Sequence, residues 1–320
     1  MHNSPEPDEA CPGALPVALP RRQAGNSPQG LAVTLLADYG LRTRPWLPSG
    51  AIVALLTEFG VTPASARAAI SRLTRRGTFE STRQGRHTSY RLTPSAAAAL
   101  SVGGAAIAAF PTEVESWDGH WTLIAFSLPQ TSDVQRRALR NRLRWLGFAL
   151  LYDALWVSPL DLPDGAAETL GDISRGAVTV FRARWLEVGG TLRRDPLDAW
   201  DQAGISRRYE DFIQEWSPLL PRIRAGDVSG TEALRARTAV MDTYRHFLFL
   251  DPRLPLRLMP PDWPRTRARD VFTSIYDGLI HPALHHVART VARHAEGPPP
   301  TIAAHTVADL LAGIVPATPE

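Results

Sequence analysis

The segment Thr62–Thr93 reads TPASARAAISRLTRRGTFESTRQGRHTSYRLT and carries the strongest structural signal in the chain. Its only acidic residue is Glu80, whereas the whole chain of 320 residues has a formal net charge of only +3. Such a local excess of positive charge is typical of a surface that binds a polyanion. The seven basic side chains are Arg67, Arg72, Arg75, Arg76, Arg83, Arg86 and Arg91.

The first half of the segment predicts a helix with a well-defined start. Thr62 is a favourable N-cap residue, Pro63 suits the first helical position, and Gly77 is a common helix terminator. One face of this helix is an apolar stripe, which we expect to be buried. The stripe consists of Ala66, Ala69, Ile70 and Leu73.

The opposite face of the same helix is small or polar. Small side chains allow a helix to lie deep in the major groove of DNA, where Ser and Arg can reach base edges or phosphates. Arg67 and Arg72 flank this face. The face itself carries Ala64, Ala68, Ser71 and Arg75.

Two short alternating runs after Gly77 predict a β-hairpin with a basic tip. Helical patterns at 31–39 and 51–59 precede the capped helix, so residues 29–100 read as a winged helix-turn-helix. A solvated basic helix on an ordinary three-helix domain is the alternative interpretation. We expect double-stranded operator DNA to be contacted by Ser65, Arg67, Ser71, Arg72, Arg75, Arg76, Arg83, Arg86 and His87.

The rest of the chain predicts an α+β protein with two further domains. In residues 116–192, strands at 121–128, 150–157 and 178–188 alternate with helices, which indicates a ferredoxin-like middle domain of order β-α-β-α-β. Residues 196–296 form a helical C-terminal domain with helices at 199–220, 233–250 and 268–294, the last broken or kinked at Pro282. Pro-rich composition indicates a disordered tail at 1–28 and a flexible one at 297–320.

Composition excludes several protein classes. No apolar run approaches the roughly 20 residues of a membrane span, and the first residues lack a signal-peptide pattern, so we expect a cytoplasmic protein. Cys11 is the only cysteine, which excludes a disulfide framework and a Cys-based metal site. The helical spacing of His281 and His285 could place two imidazoles on one metal, but packing or surface histidines are the better interpretation.

Seven stretches in this order resemble the PaaX family of bacterial transcriptional repressors, from about Leu31 to His294. The opening resemblance lies in LAVTLLADYG (31–40), in Trp46-Leu47 and in AIVALLTEFGV (51–61). The others are SARAAISRLTRRGTFESTRQGRHTSYRLT (65–93), WDGHWTLIAFSLP (117–129), LRWLGFALLYDALWVSP (143–159) and DPRLPLRLMPPDW (251–263).

The resemblance implies a GntR-like winged helix, a middle domain folded like the CRISPR adaptation nuclease, and a helical C-terminal domain. It also implies a homodimeric repressor of a catabolic operon, chiefly for phenylacetate, that an acyl-CoA thioester such as phenylacetyl-CoA releases from DNA. We expect neither catalysis nor a cofactor beyond that effector. One departure is Arg265, where we expect a small residue after Asp262-Trp263-Pro264.

The C-terminal region offers four candidates for effector contact: Arg245, His246, Asp251 and Trp263. Arg could hold a CoA phosphate, and Trp could stack on an adenine or aryl ring. The alternative is that Trp263 belongs to the core and Arg245 pairs with Asp251.

Two alternatives to a specific repressor follow from the sequence. A metal-dependent nuclease could use the middle domain, but the first strand ends in Phe126-Ser127 without a carboxylate, and only Asp118 and Asp153 lie nearby. A basic scaffold that binds nucleic acid without sequence preference is the other alternative.

Overall fold

The computed structural model describes residues 27–110, 117–128, 132–174, 177–186 and 195–317. The protein is α+β, and its described strands form two separate antiparallel sheets. The chain divides into two compact units, each built from several stretches. Unit 1 comprises the described residues up to 110 together with 216–245 and those from 271 onward, and unit 2 comprises 111–215 and 246–270. None of the described helices has the length and apolar character to cross a membrane.

The N-terminal part of unit 1 contains the helices and the hairpin expected from the sequence. β1, β3 and β2 form the first sheet, in that order, and the hairpin turns at Gly85, whose positive φ of 59° suits glycine. The tail was expected to span 1–28, but Ser27 is the N-cap of α1 and Pro28 is its first residue. Residues 1–26 lie outside the described residues. The elements are α1 (Pro28–Gly40), β1 (Leu47–Pro48), α2 (Ser49–Glu58), α3 (Pro63–Arg75), β2 (Phe79–Gln84), β3 (His87–Leu92) and α4 (Pro94–Ala109).

Unit 2 contains the second sheet, and its strand count corrects the sequence prediction. The run 150–157, predicted as one strand, is two antiparallel strands that turn at Asp153 and Ala154. The element order is therefore β-α-β-β-α-β, with the strands arranged β5-β6-β4-β7. The elements are β4 (His120–Phe126), α5 (Asp133–Trp145), β5 (Ala149–Tyr152), β6 (Leu155–Ser158), α6 (Ala166–Ser174) and β7 (Val178–Arg184).

Helices α5 and α6 cover one face of this sheet. Ile124 and Phe126 from β4 and Trp156 from β6 form one buried cluster with Leu139 and Leu143 of α5. Apolar residues at alternate strand positions meet the helix stripe here, as expected for a half-buried sheet.

The C-terminal helices are more numerous than the sequence predicted, and they are divided between the two units. The predicted break at Pro282 is present within a few residues: α11 ends at Gly278, four residues before Pro282, and α12 begins at Ile280, so Pro282 lies in the first turn of α12, where its missing N–H is tolerated. The helices are α7 (Gln202–Trp216), α8 (Leu219–Ala225), α9 (Gly230–Tyr244), α10 (Phe247–Leu250), α11 (Arg265–Gly278), α12 (Ile280–His294) and α13 (Val307–Ala312), with 3₁₀ turns at Pro196–Ala199 and Leu256–Leu258.

Within unit 1, α12 packs against both α9 and α2, and α13 packs against α4. The described part of the segment 297–320 departs from the flexible tail expected from its composition. Its backbone donates from Ala303 N to Tyr39 O at 3.2 Å and from Ala317 N to Arg42 O at 2.8 Å. The physical reason is that Val307, Leu310 and Ile314 bury their side chains, a contribution that Pro and Ala content does not reveal.

Candidate nucleic-acid interface

Helix α3 presents a polar and basic face to solvent, as its sequence predicts. The Thr62 hydroxyl accepts a hydrogen bond from Ser65 N at 3.2 Å, so the expected N-cap is present. Arg72 is half-buried. The predicted stripe of Ala66, Ala69, Ile70 and Leu73 is buried, whereas Ser65, Arg67, Ser71, Arg75 and Arg76 are exposed.

The hairpin adds a second set of basic side chains beside α3. Arg83, Arg86 and His87 are all exposed at or next to the turn, and Arg83 Nε donates to Gly85 O at 3.1 Å. These side chains can reach the sugar-phosphate backbone of a duplex whose major groove receives α3.

Not every arginine of the segment is free for DNA. Arg91 Nε lies 2.7 Å from the carboxylate of Glu80, and its guanidinium covers the Trp46 ring at 4.1 Å. Arg44 also binds Glu80, at 2.8 Å. The carboxylate of Glu80, the only acidic residue of the segment, is therefore neutralised by two arginines of the protein itself.

A groove of about 630 Å³ adjoins this surface, and it involves residues that sequence reasoning missed. Arg293 and His294 at the C-terminal end of α12 line this groove, with Glu296 just after the helix and with Arg67 and Arg86. These positions carry no local motif, and they lie about 200 residues downstream of α3, so only the folded chain reveals them. The other lining residues are Pro48, Ser49, Gly50, Ile70, His87, Thr88, Tyr90 and Ala295.

The structure separates the four candidate effector residues into different environments. Asp251 is buried, and its partners are Arg265 and the Tyr209 hydroxyl, each at 2.7 Å. Arg245 forms its ion pair with Asp242, so the predicted Arg245–Asp251 pair is wrong.

The two remaining candidates have apolar or helix-terminal surroundings. Trp263 is half-buried and packs edge-to-face on Tyr209 with ring centroids 6.4 Å apart. His246 is the half-buried residue that precedes α10.

No metal site was found among the residues that the structure describes, since no group of three His, Cys, Asp or Glu side chains is placed to hold an ion. His286, which follows His285 of the considered His281–His285 pair, contacts both carboxylate oxygens of Glu58 at 2.9 Å. Asp118 accepts a hydrogen bond from Arg182 at 3.0 Å. The backbone N–H of His120, and to a smaller extent Arg182, lower the pKa of the Asp118 carboxyl. Asp153 is exposed in the turn between β5 and β6.

Three family models match successive parts of the chain: "PaaX-like protein" over 27–96, "PaaX protein central Cas2-like domain" over 114–195 and "PaaX-like protein C-terminal domain" over 200–289. The chain is also similar to the transcriptional repressor PaaX of Escherichia coli (strain K12), at 27% identity over 256 residues, which are 76% of this chain and 77% of that protein.

Among solved structures, the uncharacterized protein Rv0674 from Mycobacterium tuberculosis is similar in fold. The superposition has a TM-score of 0.51 at 21% identity and covers 82% of this chain and 96% of the other. This likeness concerns the fold alone.

Proposed function

The chain belongs to the family of PaaX-like proteins, and we propose that it is a DNA-binding transcriptional repressor. In this proposal α1, α2, α3 and the β2–β3 hairpin act as a winged helix-turn-helix. The observation that carries it is the exposed face of α3, polar and basic, with the basic hairpin tip beside it on the same unit. The repressor function of the E. coli relative supports it.

We assign α3 to the major groove and the hairpin to the backbone or the minor groove. Ser71, Arg72 and Arg75 then face base edges or phosphates, while Arg83 and Arg86 neutralise phosphate charge. Release of counterions from those phosphates supplies the non-specific part of the affinity.

We propose that the middle domain, whose elements run β-α-β-β-α-β, is a ferredoxin-like fold that supports a homodimer rather than catalysis. A dimer would place two α3 helices about one turn of DNA, or a multiple, apart on a palindromic operator. Cleavage by a metal-dependent nuclease is the less favoured alternative, because Phe126-Ser127 at the end of β4 provides no carboxylate.

We propose an acyl-CoA thioester of the phenylacetyl-CoA class as the effector and a phenylacetate-type operon as the target, with the protein acting in the cytoplasm. A ligand that binds the DNA-incompetent state more tightly shifts the population away from the operator. A coupling of about 1–3 kcal/mol lowers DNA affinity roughly 5–150-fold.

The decisive experiment measures binding of the purified protein to its own upstream DNA, with excess competitor, with and without phenylacetyl-CoA. Specific binding that the thioester abolishes supports the repressor and its effector. Specific binding that ignores the thioester supports only the repressor. Equal affinity for random DNA supports the scaffold alternative, and Mg²⁺-dependent cleavage supports the nuclease.

The double variant Arg72→Ala, Arg75→Ala tests the assignment of α3. We expect operator affinity to fall at least about tenfold, because each lost base or phosphate contact weakens binding. The matched control is Arg207→Ala, Arg208→Ala, which removes the same charge from two exposed positions of α7. Equal affinities for the two double variants, measured by gel shift, would reject α3 as the recognition helix.

A further inference from the structure

The groove between α3, the hairpin and the end of α12 has the size and charge of a phosphate site. Its walls bring together three guanidinium groups, Arg67, Arg86 and Arg293, and the imidazoles of His87 and His294. Glu296 is the one acidic side chain among the residues that line it. All of them belong to unit 1, and the volume of about 630 Å³ admits a phosphodiester with its flanking sugars.

Close packing holds the end of α12 beside the DNA-facing elements. A side chain at Gly50, in the first turn of α2, would place its Cβ 2.7 Å from His294 Cδ2, so any other residue would require the imidazole to move. The His294 ring is oriented by Nδ1, which lies 2.9 Å from Thr290 O. The ring and Arg293 therefore stand on a wall that is fixed relative to α2.

Glu296 already places an anion in this groove. Its Oε1 lies 2.5 Å from His87 Nε2, on a residue of the hairpin that we assign to DNA. The two side chains are 64% and 55% exposed, so solvent screens the pair and it contributes little stability. A phosphate can replace this carboxylate at small cost, because it offers the same imidazole more negative charge and more acceptor oxygens.

We infer that the end of α12 is part of the DNA interface. Arg293 and His294 bind a backbone phosphate of duplex DNA in this groove, together with Arg67 and Arg86. Glu296 competes with that phosphate for His87 and leaves it when DNA binds. This inference rests on the proposed function and extends its DNA contact to a residue set outside the N-terminal helices and hairpin.

The first test compares Arg293→Ala with Arg289→Ala. Both arginines are exposed on α12 one turn apart, but Arg289 lines a separate pocket with Ser229 and Pro282. We expect Arg293→Ala to weaken operator binding about fivefold and to reduce the slope of log affinity against log salt by about 0.9, which corresponds to one phosphate contact. Arg289→Ala should stay within about twofold of the native protein, because its charge lies outside the groove.

The second test removes the competing anion. Glu296→Gln should strengthen operator binding about two- to fivefold at pH 7, since His87 then meets the phosphate without a bound carboxylate. Glu215→Gln, at an exposed position of α7, is the control for the change in net charge.

If either groove variant behaves like its control, the inference is overturned. In that case, continued specific binding by the native protein, with loss in Arg72→Ala, Arg75→Ala, would leave the proposed function standing. Failure of the native protein to bind its upstream DNA would refute the proposed function, and this inference would fall with it. Thermal unfolding of each variant confirms that a loss of binding is not a loss of fold.

Discussion

At the scale of single residues, unit 2 buries an ion pair, Asp251 and Arg265, whose charges need hydrogen-bond partners inside the protein. Their side chains are 0% and 4% exposed. Asp251 accepts from Arg265 Nε and Nη2, and Arg265 Nη1 donates to Leu254 O at 2.9 Å. Removing two charges from water is unfavourable, and only a complete set of hydrogen bonds offsets that penalty.

We expect Arg265→Met to destabilise unit 2 by about 3–5 kcal/mol, because it leaves the Asp251 carboxylate buried without its cation. The double variant Asp251→Asn, Arg265→Met should be destabilised by less than the single variant, since it buries no charge. Urea unfolding followed by tryptophan fluorescence measures both. A single variant as stable as the native protein, or a double variant that is less stable than the single one, would contradict this account.

Residue-level prediction succeeded where spacing is local and failed where partners are distant. The stripe of α3 follows from intervals of three and four residues, and all of its members are buried. The partner of Asp251 could not be predicted, because Arg265 follows a Pro-rich connection without periodicity. Arg245 instead pairs with Asp242, one helical turn earlier, an interval at which side chains meet on a helix.

At the scale of elements, the β2–β3 hairpin combines a buried base with a basic tip. Phe79 and Leu92 are paired at its base and buried, whereas the tip consists of Arg83 to His87 around the turn. Substitutions at the tip therefore leave the packing of the hairpin intact.

The variant Arg83→Ala, Arg86→Ala should lower the salt dependence of DNA binding. Each phosphate contact contributes about 0.9 to the slope of log affinity against log salt, so we expect the slope to fall by about 1.8 if both side chains contact phosphate. Fluorescence anisotropy titrations at several salt concentrations provide the slope. Arg207→Ala, Arg208→Ala serves again as the control, and an unchanged slope for the tip variant would mean that the hairpin does not touch the backbone.

The Thr-Pro pairs predicted where two helices begin, whereas the sequence did not predict the turn between β5 and β6. Thr62 and Thr93 each cap a helix by accepting from the backbone N–H three residues later. That chemistry is local, and the sequence displays it directly. The turn at Asp153 and Ala154 is embedded in the run LLYDALWV, which has no glycine or proline to mark a reversal.

At the scale of the whole molecule, a buried polar set joins four separate segments of unit 1. The Tyr276 hydroxyl donates to Asp38 Oδ1 at 2.7 Å and lies 3.0 Å from His305 Nε2. Arg237 donates to His305 O at 2.7 Å, and its guanidinium covers the Tyr276 ring at 3.6 Å. These residues come from α1, α9, α11 and the segment before α13, so no sequence pattern could have predicted their meeting.

Burial gives this set a pH dependence. Desolvation lowers the pKa of His305 from 6.5 to about 3, with the Arg237 charge acting in the same direction. Between these two values His305 binds a proton in the unfolded chain but not in the folded one. Stability is therefore lost as pH falls from about 6.5 towards 3. Burial raises the pKa of Asp38, and this effect has the opposite sign: the folded form holds its proton more tightly, so stability is lost as pH rises from 3.8 through the raised pKa.

The variant His305→Gln should flatten the acid side of the stability profile of unit 1. Between pH 6.5 and 4, the native protein loses up to about 1.4 kcal/mol per pH unit through His305, and a glutamine that takes up no proton removes that loss. Unfolding midpoints measured at pH 7, 6, 5 and 4 for both proteins give the comparison. Surface carboxylates titrate equally in both and cancel in the difference, and His285→Gln, at an exposed position of α12, controls for the loss of an imidazole. Parallel profiles for native protein and His305→Gln would show that the buried set does not tie the stability of unit 1 to pH.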